Sequence, residues 1–218
     1  MKVYGTDVYA YLIRARQQLD GDSPPHLFYA AFELRCAIES RLRQYLNARD
    51  DIAKHKKKGW HMAASEKELA KKFRDGRTIV ELLLAVKNMS KELRLFYTPV
   101  KKTLVAAGDR LGDFLHCSKA DLDYNDSWWS TTREFLEETF KELEFASAGT
   151  LLGPPMKSPD GRHINVKSFY HQSHRLSDVF DKFVALPKGT QMNFLVRYHS
   201  ELPNDATLFL NSWRCEVP

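Results

Sequence analysis

The chain has 218 residues, 43% hydrophobic and 28% charged, enough for one large or two small buried cores. Its formal charge of +5 excludes a strongly basic nucleic-acid module and leaves any such affinity to a local patch. No long apolar run suggests a membrane span, and Met1–Asp7 lacks the apolar core of a signal peptide. The expected compartment is therefore the cytoplasm, with no membrane partner. Cys36, Cys117 and Cys215 are too few and too scattered for a disulfide framework or a thiolate metal site.

Residues 6–20 predict a first helix, with Thr6 or Asp7 as cap and Val8, Leu12, Ala15 and Leu19 on one stripe. Asp20–Pro25 breaks it. Residues 25–48 carry the strongest helical pattern: Leu27, Ala30, Ala31, Leu34, Ile38, Leu42, Tyr45 and Leu46 make a wide apolar face suited to a bundle. Residues 50–64 are less regular. Ser65 with Glu68 three residues on predicts the start of another helix. Residues 77–97 are apolar almost throughout and predict a helix buried on most sides. Pro99 interrupts that run, and a shorter amphipathic helix is expected over 100–116.

A polar connection leads to a last long helix over about 127–147, with Phe135, Leu136, Thr139, Phe140 and Leu143 on one face. Residues 149–162, rich in Gly and Pro, predict a linker or loop. Beyond it the period changes. Met192, Phe194, Val196 and Tyr198 alternate with Asn193, Leu195, Arg197 and His199, a strand pattern. Residues 207–213 are a second strand candidate, His163–Phe169 a weaker one, and 174–185 a short helix. The expected fold is mainly α: a helical bundle over 1–148 and a small C-terminal α/β extension over 163–218, packed on the bundle.

Two chemical features stand out. Arg110 and His116 fall at the end of one predicted helix and ahead of the next, pairing a permanent cation for phosphate with an imidazole able to move a proton near neutral pH. The alternative is structural: Arg110 pairing with Asp109 or Asp113, and His116 placed at a helix C-terminus that favours it. The run Lys54, Lys56, Lys57 and Lys58 with Trp60 is a local basic-aromatic cluster, either a nucleic-acid contact or a solvated loop. Arg49 and His55 form a second, weaker Arg–His pair. Glu33 lies on the strongest helix, either in a structural ion pair or lining a cleft. Arg35 and Glu39 are spaced to pair. His171 and His174, with Asp178 and His163, lack a compelling third ligand, so no metal and no cofactor are expected. Trp128–Trp129 fit a core or dimer contact.

The long helix containing Phe32–Leu42, the order of long helices with an irregular section after the second, and the Arg110-to-His116 spacing before the last bundle helix together resemble the HEPN superfamily. The resemblance covers about residues 5–148. It implies a homodimer in which Arg110 stabilises a pentacoordinate phosphate and His116 acts as base or acid. The chain would then be a metal-independent endoribonuclease of a toxin–antitoxin or antiviral defence system, with Glu33 a candidate to orient His116. Active members usually carry asparagine or aspartate directly after the arginine; here the residue is Leu111. The alternative within the same resemblance is a catalytically inactive binding protein, an antitoxin or the accessory subunit of a defence complex.

Overall fold

The computed structural model describes residues 4–57, 62–73, 78–86, 92–116, 123, 125–157, 164–169, 181, 183, 185–187, 190 and 192–211. They divide into two compact units, each discontinuous in sequence: residues 1–69 with 100–147, and residues 70–99 with 148–218.

The first unit is helical. Helix α1 (Val8–Leu19) starts where Asp7 accepts the backbone N–H groups of Tyr9 and Ala10 at 2.9 and 3.0 Å. Helix α2 (Pro24–Asn47) begins on two prolines whose fixed φ suits the first turn. Helix α3 (Met62–Lys72) starts three residues before the expected Ser65. Helices α4 (Lys102–Asp113) and α5 (Trp128–Ala148) match the expected positions closely. The predicted stripes of α1 and α2 are buried from Val8 to Leu46.

Cross-links between the helices fix their directions. Tyr9, Arg16 and Leu19 of α1 meet Ser147, Glu137 and Arg133 of α5 in reverse order, so the two run antiparallel. Arg110 and Lys101 lie over the Phe135 and Phe145 rings, which sets α4 antiparallel to α5. Gly108 of α4 packs near Ile38 of α2, while Phe114 meets Phe28. Helices α1, α2, α4 and α5, taken in that order, therefore point alternately up and down. The C-terminal end of α5 is closed by α1 and α2. Arg41, fully buried, donates Nε–H to the Ala146 carbonyl at 2.9 Å. The Tyr45 hydroxyl donates to the same oxygen at 3.3 Å, and that of Tyr9 to the Ser147 carbonyl at 2.9 Å.

The second unit corrects the predicted fold class. Residues 77–97 do not form a helix. They contain strands β1 (Ile79–Val86) and β2 (Leu93–Tyr97), paired antiparallel with Leu82 opposite Leu95. Two short strands follow: β3 (Met156–Lys157) falls in the stretch expected to be a linker, and β4 (Ile164–Asn165) within the weaker strand candidate. Strand β5 (Met192–His199) lies where alternation predicted it and pairs antiparallel with β1, Leu82 opposite Val196. The sheet order is β2-β1-β5. The molecule thus combines α-helices with an antiparallel sheet, and the reading as a mainly α bundle with a small extension does not hold. The reason is that both faces of β1 are buried over Ile79–Leu82. Its apolar run loses strict alternation and resembles a buried helix.

The strand candidate over 207–213 is instead a 3-10 turn at Ala206–Leu208, with residues 212 and 213 outside the described range. Of the helix expected over 174–185, residues 181 and 183 are helical, and most of the rest lies outside it.

Residues 149–151, within the stretch expected to be a linker, run beside β2. Leu151 N–H donates to the Phe96 carbonyl at 2.8 Å, and Gly149 N–H to Thr98 Oγ1 at 2.9 Å. A Cβ on Gly149 would come within 2.7 Å of the Phe96 oxygen and the Thr98 nitrogen, both backbone atoms with little freedom to retreat. Gly149→Ala is therefore expected to destabilise the protein by about 1–3 kcal/mol, read as a lowered urea midpoint.

A second prediction concerns acid. Arg16 forks onto Glu137 with contacts of 2.9 and 2.7 Å. The hydrogen bonds from Arg16 hold the Glu137 carboxyl below its ordinary 4.5. A carboxylate depressed by folding stabilises the native state above its unfolded pKa, and that contribution fades as pH falls through the folded value. The stability gap between the wild type and Glu137→Gln should therefore be present at neutral pH and shrink below about pH 4.5, measured by urea titration at a series of pH values.

Candidate functional site

Arg110 lies in the last turn of α4, exposed, with its guanidinium carbon 3.9 Å from the centroid of the Phe135 ring. His116 follows the helix end, also exposed, its backbone N–H bonded to the Asp113 carbonyl at 3.3 Å. The structure thus brings both to the end of α4 that faces the start of α5. Neither the pairing of Arg110 with Asp109 nor that with Asp113 is found among the described ion pairs.

Around Arg110 is a group of aromatic rings. Phe114 stacks on Phe135 at 6.3 Å with the planes 11° apart, and it meets Trp128 at 5.7 Å. Phe28 touches Phe114, Trp128 and Trp129, and the two tryptophans form a T-shaped pair at 4.8 Å. All five rings are only partly buried. Phe32, one turn along α2 from Phe28, is 43% exposed, and Leu115 is 46% exposed. This apolar group is only partly shielded from solvent, and Arg110 adds a cation to it. Trp128 and Trp129 are held by the chain before α5: Asp126 accepts the Trp128 backbone N–H, and the Trp129 indole N–H donates to the Asp123 carbonyl, both at 2.8 Å.

Two glycines leave room on α4 for side chains of α3 and α2. A Cβ on Gly108 would meet the Met62 sulfur of α3 at 2.6 Å, and one on Gly112 would clash with a guanidinium nitrogen of Arg35 on α2. Arg35 uses that space to donate to the Gly108 carbonyl at 3.0 Å while pairing with Glu39, the i,i+4 contact expected from the sequence. Gly112 therefore leaves room for the Arg35 guanidinium. Leu111 is fully buried.

Glu33 has a different neighbour. Its carboxylate accepts Arg14 Nε–H at 2.9 Å, toward α1, whereas Arg35 two residues on faces α4. The structure joins Glu33 to α1 rather than to His116. The lysine run lies elsewhere again. Lys54–Lys57 form an exposed 3-10 turn after the C-terminal end of α2, whereas Phe28 is near its N-terminal end. The rise of α2 puts roughly 30 Å between those ends. Lys56 pairs with Glu68 at 2.9 Å, and Lys57 Nζ bonds the Arg49 carbonyl. Lys58 and Trp60 lie outside the described residues. Arg49 is buried and paired with Asp51 at 2.9 Å, so the Arg49–His55 pair offers no free guanidinium to a phosphate.

The second unit contains a polar cluster that the sequence reading missed. Glu81, 1% exposed, lies in the central strand, where Arg197 is its register partner in β5. Its Oε1 accepts Arg94 Nε–H, and its Oε2 lies 2.8 Å from His199 Nε2. Arg94 also binds Asp205 and lies 4.7 Å from the Phe209 ring centroid. The alternation over 192–199 was the available signal, since it places Arg197 and His199 on one face. Glu81 was hidden in the stretch read as a helix.

Among the described residues no three His, Cys, Asp or Glu side chains gather as metal ligands, and no helix is long and apolar enough to cross a membrane. His163, His171, His174 and Asp178 lie outside the described residues. Compared with protein families, curated proteins and solved structures, the chain finds no match.

Cys36, on α2 between Glu33 and Glu39, is a further nucleophile on the helical unit. Burial first, then the two carboxylates, pushes its thiol up to about 11. The thiolate, not the thiol, reacts. Iodoacetamide at about pH 8 should therefore leave the Cys36 peptide unmodified in native protein and alkylate it after denaturation, as read by peptide mass spectrometry.

Proposed function

We propose that this protein is a HEPN-like RNA-binding module that holds single-stranded RNA against the aromatic end of its helical unit. The observation that carries the reading is Arg110 stacked on Phe135 within a partly exposed group of five rings. Ring faces accept any base by stacking, and a neighbouring guanidinium binds phosphate, the combination on which single-strand binding depends. The alternating directions of α1, α2, α4 and α5 support the HEPN-like reading, with Arg110 in the last turn of α4 and His116 after it, ahead of α5. In this reading the chain works in the cytoplasm as a homodimer, as an antitoxin or the accessory subunit of a defence complex with a protein partner.

Two observations weigh for binding over cleavage. Among the described residues no carboxylate orients His116, since Glu33 is taken by Arg14. The residue after Arg110 is the buried Leu111 rather than a polar group. The second reading, a metal-independent endoribonuclease, is favoured by one fact: Arg110 and His116 are both exposed at the same helix end. There Arg110 would stabilise the phosphate and His116 would transfer the proton.

The test is titration of fluorescent single-stranded RNA in EDTA, followed by anisotropy and gel analysis of the same samples. Binding that weakens about tenfold with Arg110→Ala or Trp128→Ala, with RNA left intact, is the expected outcome. Cleavage abolished by His116→Ala would replace it with the ribonuclease reading. Absence of both binding and cleavage would sink the RNA proposal.

A further inference from the structure

The Glu81 cluster has one arrangement that a purely structural ion-pair network does not require. Both oxygens of the Glu81 carboxylate are already engaged, Oε1 by Arg94 and Oε2 by His199. Arg197 therefore reaches that carboxylate only at 3.9 Å, too far for a hydrogen bond, and its side chain is 52% exposed. Its N–H donors face no other acceptor among the described ion pairs and hydrogen bonds. His199 is 23% exposed and spends Nε2 on Glu81, which leaves Nδ1 for another partner.

Arg197 and His199 are two residues apart in β5, so they stand on the same sheet face, with backbones about 7 Å apart. That spacing suits two oxygens of one tetrahedral anion. Charge points the same way. Within the cluster, Glu81 and Asp205 are balanced by Arg94 and Arg197; Arg94 is engaged by both carboxylates, which leaves the Arg197 guanidinium as the cation facing solvent. The buried carboxylate directs the Nε2–H of His199 inward, so Nδ1 is the nitrogen that shares a proton with an incoming phosphate oxygen.

We propose that Arg197 and His199, held by Glu81 and Arg94, form a binding site for the phosphate group of a small phosphomonoester. Arg197 donates N–H groups to two phosphate oxygens in a forked contact, and His199 Nδ1 shares the proton of a third. A monoester fits better than a polynucleotide backbone, because it concentrates up to two charges and a protonated oxygen on one phosphate, which suits a guanidinium and an imidazole on the same strand face.

The test uses the full chain, with ring resonances of His199 followed by 1H–15N correlation during titration with inorganic phosphate, glycerol phosphate and a diester-only oligonucleotide lacking terminal phosphate. Inorganic phosphate and glycerol phosphate should each shift those resonances with saturation. Arg197→Met, read on the same resonances, and His199→Gln, read by isothermal titration calorimetry against the wild type, should each weaken apparent phosphate affinity about tenfold or more, with the circular dichroism spectrum unchanged. Both substituted side chains are partly exposed, so folding should tolerate them. Unperturbed His199 resonances, equal affinity in Arg197→Met, or saturable binding of the oligonucleotide alone would each overturn the proposal.

Discussion

The helical unit depends on a charge hidden at one end of a helix. The last carbonyls of α5 have no partners within the helix, and burying them unsatisfied would cost several kcal/mol in total. Arg41 reaches the Ala146 oxygen from α2 and lies over the Tyr45 ring at 4.4 Å, while Gln44 accepts from its Nη1 at 3.0 Å. Tyr45 and Tyr9 bring two more hydroxyls to the same turn. A guanidinium at a helix C-terminus also meets the negative end of the peptide dipoles. Three helices are thereby locked at one level. The register of α1 against α5, with Arg16 at Glu137 and Arg133 at the Leu19 carbonyl, follows from that level.

Because that closed end fixes the helices, the opposite end can be left open. There the starts of α2 and α5 and the end of α4 contribute rings, and none of these rings is fully enclosed. Arg110 is exposed there because its apolar neighbour Leu111 takes the inward position. The order of the two residues on α4 thus decides which one meets solvent.

Helical parts of this chain were legible because each helix has one buried face. Val8, Leu12, Ala15 and Leu19 repeat at helical spacing and are buried, as are Leu27 through Leu46 on α2. Strand β5 was legible for the complementary reason, since its residues alternate. Strand β1 was not, because burial of both faces over Ile79–Leu82 removed the alternation that marks a half-buried strand. With it went Glu81, whose partners lie at positions 94 and 199 and which no local pattern connects. The candidate site was partly legible: Arg110 and His116 were placed by spacing and helix order. The ring group was not, since Phe28, Phe114, Trp128 and Phe135 meet only when three helices converge.

The pairing of β1 with β5 also bears on how the chain acquires its structure. Leu82 finds Val196 across more than 100 residues, while β2 is close by in sequence. The hairpin of β1 and β2 can form early, but one edge of β1 stays unsatisfied until the C-terminal segment arrives. Contacts of such high sequence separation are entropically slow to close. During synthesis the helices up to Ala148 can already be assembled while that edge is open, with Glu81 still lacking its histidine. The interval between those two events is when the nascent chain most needs protection from strand-to-strand association.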